Sequence, residues 1–211
     1  MIIGITGAIG SGKDTIADYL IQYYNFKKMS YAAPLKDAVA SIFNWDREML
    51  EGTTRASREW REQVDEWWSQ RLEIPQLSPR WVLQQWGTEV GRRCFHDDIW
   101  VASIESKLRN ISDHIVISDC RFANEIYSIK NIGGIIVRVE RGDPPEWYDY
   151  AKKYNDADST TEEKKDALAL LNFYKIHASE YSSVGLQYDH VIKNNGSLVD
   201  LYSKLDSIVN L

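Results

Sequence analysis

Cysteine is scarce in this chain: Cys94 and Cys120 are the two in 211 residues. Their spacing fits neither a disulfide framework nor a zinc site, so free core thiols in a reducing compartment are the simplest reading. Histidine is nearly as rare, and its four copies are scattered, which leaves zinc without a ligand set. No stretch approaches the ~20 apolar residues of a membrane span. The apolar run from Ile2 is too short for a signal peptide and has no basic leader. A soluble, cytoplasmic protein that binds no membrane is therefore expected. A basic excess is also missing. With a net charge of -6 and a pI near 5.3, a nucleic acid polymer is not expected as a partner, although local cationic clusters can still meet small phosphorylated ligands. There is no internal repeat and no low-complexity tract. What is present is a 44% hydrophobic content, enough for one α/β domain with an inserted subdomain.

The most informative stretch is residues 2–15, Ile-Ile-Gly-Ile-Thr-Gly-Ala-Ile-Gly-Ser-Gly-Lys-Asp-Thr. A short apolar strand runs into a glycine-rich turn and then into a helix pattern of Ile16, Ala17, Tyr19 and Leu20. Gly7, Gly12 and Lys13 fit G-x-x-x-x-G-K, the phosphate-binding loop. With Gly10 and Ser11 between them, the glycines let backbone N–H groups converge on phosphate oxygens at the positive start of the helix. Lys13 would reach β- and γ-phosphates. The position after the lysine, commonly Ser or Thr, is here Asp14, followed by Thr15. Either can serve Mg²⁺, and the spacing does not choose between them. Asp14 could also simply favour the helix N-terminus.

Apolar runs at 115–118 and 135–139 read as further buried strands, 188–192 as a last strand, and 27–31 as a short one. Helices are expected over 14–24, from Pro34 to about Phe43, within 57–71, over 80–93 with Gly87 inside, and over 97–109, 123–130, 162–181 and 198–209. Ser197 or Asn195 could cap the last. Strands alternating with helices give a parallel, doubly wound sheet.

Asp119 closes the strand at 115–118. An acid there, downstream of a phosphate loop, suits the organisation of Mg²⁺, because ligands of open α/β sheets bind at the carboxyl ends of strands. Arg121 lies two residues on and can grip a phosphate with its planar fork. The alternative is an Asp–Arg surface pair. Glu125 either orients Arg121 or is a solvated helix residue. Lys36 sits inside a Pro-initiated helix, where a cation meets a second phosphorylated substrate or is solvated. On 80–93, Gln84 and Thr88 share a helix face, Arg92 and Arg93 add cations, and Trp81 and Trp86 could stack on a base. An amphipathic core helix explains the tryptophans equally well. Asp97 and Asp98 read as helix caps, and His177 with Glu180 is too sparse for a metal.

Taken in order, these pieces resemble the deoxynucleoside monophosphate kinases of tailed bacteriophages. The matching residues are Ser11-Gly12-Lys13-Asp14-Thr15, Ala33-Pro34-Leu35-Lys36-Asp37-Ala38, Leu83-Gln84 with Gly87-Thr88-Glu89, Trp100, Asp119-x-Arg121 with Glu125, and Gly133-Gly134 with Arg138-Val139. His177-x-Ser179-Glu180 and Asp189-His190-Val191-Ile192-x-Asn194-x-Gly196-Ser197-Leu198 complete the series. The Asp14 departure is shared with that family. Segments 45–79 and 143–175 match poorly.

The resemblance implies an α/β, P-loop NTPase-type three-layer fold with a parallel sheet, a helical substrate-binding insert and a lid. The single kinase domain would have its core at 1–30, 110–140 and 187–211, its insert near 31–109 and its lid near 141–186. The implied reaction moves the γ-phosphoryl group of ATP to a deoxynucleoside 5′-monophosphate with Mg²⁺ as cofactor. Lys13 and the loop would hold ATP, with Asn194 and Gly196 by the adenine. Asp14 or Thr15, with Asp119, would serve the metal. Lys36, Arg121 and Arg92 or Arg93 would hold the acceptor phosphate, with Gln84, Trp86, Thr88 and Glu125 around it. A phage-encoded chain would work in the host cytoplasm, and the sequence leaves room for a homodimer. The same core could serve a kinase of another small phosphorylated acceptor, such as phosphomevalonate or dephospho-coenzyme A. A nucleotide-dependent switch or assembly ATPase is a weaker match, because no guanine-reading Asn-Lys-x-Asp is present.

Overall fold

Five segments become strands in the computed structural model, which describes residues 1–210. They are β1 (Ile2–Thr6), β2 (Lys27–Met29), β3 (Ile115–Ile117), β4 (Ile135–Glu140) and β5 (His190–Lys193). All neighbours pair in parallel, in the order β2-β3-β1-β4-β5. β1 is central and meets β3 on one side and β4 on the other, so the strand order reverses beside it, and such sheets bind ligands at the carboxyl ends of the strands at that point.

The chain divides into two compact units, one of residues 1–30 with 110–211, the other Tyr31–Arg109. In the first, α1 (Lys13–Tyr24) follows β1 directly. Ile3 and Ile5 point into a core with Ile16 and Leu20 of α1, Val116, Val137 and Val139, and Leu201 and Leu205 of the closing helix. Strand side chains alternate between faces, so Gly4 faces the other way. A Cβ there would lie 2.5 Å from Ile129 Cδ1 on the helix after β3, so glycine lets that helix approach closely. Helices on both faces of one sheet make the three layers the sequence implies.

The second unit carries α2 (Ala33–Phe43), a 3₁₀ turn (Met49–Glu51), α3 (Arg55–Glu62), α4 (Glu66–Leu72), α5 (Pro79–Gln84), a π-helix (Gln85–Phe95) and α6 (Ile99–Leu108). Its aliphatic core is small: Leu35, Val39, Phe43, Leu50, Leu77 and Val82. Tryptophans 45, 60, 68, 81, 86 and 100 pack around it. Some of their indole nitrogens find partners: Trp45 Nε1 donates to Asp65 Oδ2 at 2.8 Å, and Trp68 Nε1 to the Phe43 carbonyl at 3.1 Å. Large rings thus supply the burial that short helices lack.

The helix expected over 80–93 changes pitch at Gln85. Trp100 forces the change. Its Nε1 donates to the Gly87 carbonyl at 2.9 Å, and a Cβ on Gly91 would stand 2.8 Å from its ring. The wider turn accommodates both contacts, as π segments do when a side chain intrudes on the helix ladder.

Back in the first unit come α7 (Ala123–Asn131), α8 (Tyr148–Asn155), α9 (Thr161–Phe173), α10 (Ala178–Tyr181) and α11 (Leu198–Val209). The single helix expected over 162–181 is two, broken where Lys175 takes φ 54°. α8 lies beyond Pro144-Pro145, in the segment where no helix was expected. It joins α9 and α10 through a satellite core of Ala151, Leu171, Tyr181 and Val184. Ser197, rather than Asn195, caps α11, accepting from Asp200 N at 3.2 Å. Among the described residues no helix is long and apolar enough to cross a membrane.

Candidate active site

The loop between β1 and α1 has the geometry its glycines promise. Gly7 sits at φ 145°, where a Cβ would lie 2.3 Å from the Val139 carbonyl oxygen, and Gly12 at φ 106°, where it would lie 2.5 Å from Asn194 Nδ2. Both positions need positive φ and close approach, so another residue would displace the loop. Gly10 stands at the open crest. Gly12 precedes α1 without a side-chain cap, leaving the first N–H groups of the helix to an anion. Ser11 is buried, and its hydroxyl oxygen has no hydrogen-bond partner. Asn194, at the end of β5, donates its side-chain amide to the Ser11 carbonyl at 2.8 Å and its backbone N–H to the Glu140 carbonyl at 2.7 Å. It therefore clamps the loop to the sheet. Gly196 packs against Asp200 at the cap of α11.

Lys13 Nζ donates to the Gly7 carbonyl at 2.9 Å and the Ala8 carbonyl at 2.8 Å, so the ammonium is held over the loop. Burial, and then the charge of Arg121, bring its pKa down to about 8, against the smaller opposing pull of Asp14 and Glu180. A phosphate beside it restores the charged form. ATP affinity should thus be flat at neutral pH and fall as pH rises through about 8. Near that pH, calorimetry in buffers of different ionisation heat should show uptake of about half a proton per ATP bound. Binding with no proton uptake would contradict this assignment of Lys13.

Asp14 Oδ1 accepts from Ser118 Oγ at 3.0 Å and lies 3.3 Å from Lys28 Nζ. Burial opposes its ionisation, but Lys28, the Ser118 hydroxyl and Lys13 outweigh it and hold the carboxyl below its ordinary range. Thr15 is partly buried on α1. Asp119 Oδ2 accepts from Ser30 Oγ at 2.7 Å, which joins the ends of β2 and β3. This is a hard, all-oxygen donor set of carboxylates and hydroxyls at the start of α1 and the ends of β2 and β3. It fits a small divalent cation such as Mg²⁺, which takes one or two carboxylates and completes its shell with water and substrate phosphates. Among the described residues no group of three His, Cys, Asp or Glu side chains could hold a metal ion unaided.

Arg121 Nη1 pairs with Glu180 Oε1 at 2.9 Å and reaches the Ser179 carbonyl at 3.5 Å, so α10 fixes the guanidinium. His177 caps α10 by accepting from Ser179 N. Glu125 is buried, and its Oε2 accepts from the backbone N–H of Arg121 at 2.7 Å and of Phe122 at 3.0 Å. It shapes the turn that carries Arg121. Sequence reasoning left Arg138 without a role. It is buried on β4, bonded to Glu140, Tyr188 and Tyr148, and its charge bears on Lys13. Its place in the family pattern was the signal. The Tyr188 hydroxyl donates to the Ser183 carbonyl, and Thr6 Oγ1 to Ser183 Oγ at 3.0 Å, so β1 and β4 both hold the segment after α10.

On the second unit, Lys36 Nζ lies 2.5 Å from Glu51 Oε2, which Arg47 also engages. Arg92 is buried, donating to the Asp97 carbonyl at 2.8 Å, and Arg93 pairs with Glu89 at 2.6 Å on the surface. Thr88 is buried and Gln84 half-buried. Trp86 meets Phe43 edge-on at 5.9 Å, as the core-helix reading expects.

The first unit therefore brings together an anion-binding loop, a lysine, two carboxylates and an arginine at the carboxyl ends of β1, β3 and β4. Such a set positions phosphates and neutralises their charge, which is most of what phosphoryl transfer asks of a protein.

No protein-family model matches the chain. A curated mimivirus protein (Acanthamoeba polyphaga mimivirus) named deoxynucleotide monophosphate kinase is 28% identical over 225 residues, spanning all of this chain and 96% of its own. A protein of Escherichia phage T5 named deoxynucleoside-5′-monophosphate kinase is 25% identical over 180 residues, covering 59% of this chain and 70% of its own. These names agree with the resemblance read from the motifs. Among solved structures, shikimate kinase from Aquifex aeolicus is 12% identical, with a TM-score of 0.44 over 100% of this chain and 96% of that one.

Proposed function

We propose that this P-loop phosphotransferase carries the γ-phosphoryl group of ATP to the 5′-phosphate of a deoxynucleoside monophosphate. The observation that supports this reading most is the extent of the mimivirus match, which takes in the second unit as well as the phosphate loop. In the reaction an acceptor phosphate oxygen bonds to the γ-phosphorus as the bond to the β,γ-bridging oxygen breaks, giving ADP and the deoxynucleoside diphosphate.

The loop N–H groups and Lys13 would hold the β- and γ-phosphates in place and meet the charge that gathers on the bridging oxygen. Asp119 and Asp14 or Thr15 would hold Mg²⁺, which when bound supplies further neutralisation of the phosphate charge. Arg121, fixed by Glu180 and by the Glu125-capped turn, would align the acceptor phosphate. Lys36, Gln84, Thr88, Arg92 and Arg93 on the second unit would recognise the acceptor. The segment 141–186 would exclude water, the competing acceptor.

A coupled assay of ADP formation across matched deoxy- and ribonucleoside monophosphates tests the reading. Deoxynucleotides are expected to lead in kcat/KM by about tenfold to a hundredfold, the range that crowding a hydroxyl achieves in an apolar site. Equal values, or a ribose preference, would shift the reading to a general nucleoside monophosphate kinase. Turnover with a non-nucleotide phosphorylated acceptor alone would overturn it.

A further inference from the structure

Arg138 and Arg121 both bring positive charge to Lys13, yet they spend their donors differently. Arg138 is buried, and every nitrogen of its guanidinium has an acceptor. Nε meets Glu140 Oε1 at 3.0 Å, Nη1 the Tyr188 hydroxyl at 3.1 Å and Nη2 the Tyr148 hydroxyl at 3.1 Å. Its Cζ lies 5.1 Å from the centre of the Tyr188 ring. No edge of this fork is left for a phosphate. Arg121 commits Nη1 alone, to Glu180 Oε1 and the Ser179 carbonyl. Among the described residues its Nε and Nη2 have no partner, so the side-on edge that grips a phosphate with two parallel bonds stays open.

Glu180 sets where that edge faces, and the turn after Glu180 sets Glu180. α10 has four residues, too few to hold a place of its own. Three elements hold it. Asn155, the last residue of α8, donates Nδ2 to the Tyr181 carbonyl at 2.7 Å and to the Val184 carbonyl at 2.8 Å. Thr6, the last residue of β1, donates to the buried Ser183 Oγ at 3.0 Å. Tyr188, just before β5, donates its hydroxyl to the Ser183 carbonyl. Thr6 and Arg138 are register partners on β1 and β4, so they stand side by side on one face of the sheet. The Tyr188 hydroxyl is the joint between sheet and turn. It accepts from Arg138 and donates to Ser183, so a buried cation polarises the bond that seats α10.

We propose that Tyr188 is a positioning residue of the transfer reaction: its hydroxyl, anchored by Arg138, seats the turn at Ser183, so that Glu180 aims the open edge of Arg121 at the acceptor phosphate. The inference rests on the function proposed above in giving Arg121 that phosphate. It places Arg138 in the framework of the site rather than on a substrate. It also gives the donor loop and the acceptor arginine a common base, because Thr6, which runs into Gly7, meets the same serine. A displacement of about 1 Å in a group that orients a reactant is enough to slow transfer severely.

Steady-state kinetics of Tyr188→Phe, Glu180→Ala and the double variant test the proposal. Tyr188→Phe keeps the ring beside Arg138 and removes the joint. Its acceptor kcat/KM should fall about tenfold or more, with KM for ATP within about twofold of wild type. Glu180→Ala should lose at least as much. Adding Tyr188→Phe to it should cost no more than about a further twofold, because the hydroxyl acts through Glu180. Losses that multiply overturn the proposal, since a hydroxyl that only stabilises the fold has no reason to be coupled to Glu180. An acceptor kcat/KM of Tyr188→Phe within about twofold of wild type overturns it as well. If Tyr188→Phe fails to fold, Arg138→Lys, which keeps the charge and withdraws the fork from the hydroxyl, should show the same selective and non-additive loss, and a multiplying loss there overturns the proposal. If the wild-type protein transfers to no deoxynucleoside monophosphate, the functional reading fails separately, and NMR of the nucleotide-free protein decides the seat. The Arg121 Hε–Nε resonance should move in Tyr188→Phe toward its position in Glu180→Ala, and an unmoved resonance overturns the proposal.

Discussion

Replacing Lys13 with alanine is expected to lower phosphoryl transfer by roughly 10²–10³-fold or more, the loss that follows removal of one group aimed at developing charge. The fold should survive. The Lys13 pKa is about 8, below its ordinary 10.5, so the fold favours the neutral amine. At neutral pH the ammonium is charged in both folded and unfolded chains, and its desolvation penalty is fully present. It eases as pH rises through about 8. Alanine removes that penalty along with the bonds to the Gly7 and Ala8 carbonyls. Melting of the variant should therefore occur at or above the wild-type temperature near pH 7, with transfer lost. Normal turnover in a folded Lys13→Ala protein would remove the loop from the reaction.

Arg121→Ala should be nearly as damaging and differently distributed. The side chain is held at a strand end by Glu180, and its backbone by Glu125, so the fork is oriented before any phosphate arrives. We expect acceptor kcat/KM to drop by roughly 10²–10³-fold, with ATP affinity changed by no more than about threefold. Isothermal titration with each nucleotide separates the two. A loss confined to ATP would move Arg121 to the donor side of the reaction.

The phosphate loop was legible because its chemistry is local. Glycine spacing, the apolar strand before it and the helix pattern after it all lie within residues 2–24, and each constrains the others. The buried strands were legible for the same reason, since aliphatic runs such as Ile115–Ile117 have no polar face to disguise them, but their order in the sheet was not. The partners of the site residues were not. Asp14 is held by Ser118, 104 residues away, and Arg121 by Glu180, 59 away, and no spacing rule reaches that far. The π-helix was hidden because its cause is the Trp100 ring against Gly91, a tertiary contact imposed on a stretch whose own pattern reads as α. α8 escaped notice because its buried Ala151 gains a core from Leu171, Tyr181 and Val184, which lie after the helix in sequence. The tryptophans were ambiguous in the sequence, where Trp86 read equally as a base-stacking group or a core residue; its partly buried ring meets Phe43 beside the small core of the second unit.

Phosphorus NMR of the protein with ATP, Mg²⁺ and a deoxynucleoside monophosphate tests the central claim most directly, because it follows the transferred group itself. The γ-resonance of ATP should fade as the two resonances of a deoxynucleoside diphosphate grow in equal measure, with ADP as co-product and little inorganic phosphate. Inorganic phosphate appearing in place of the deoxynucleoside diphosphate, at a rate indifferent to the acceptor, would contradict the account.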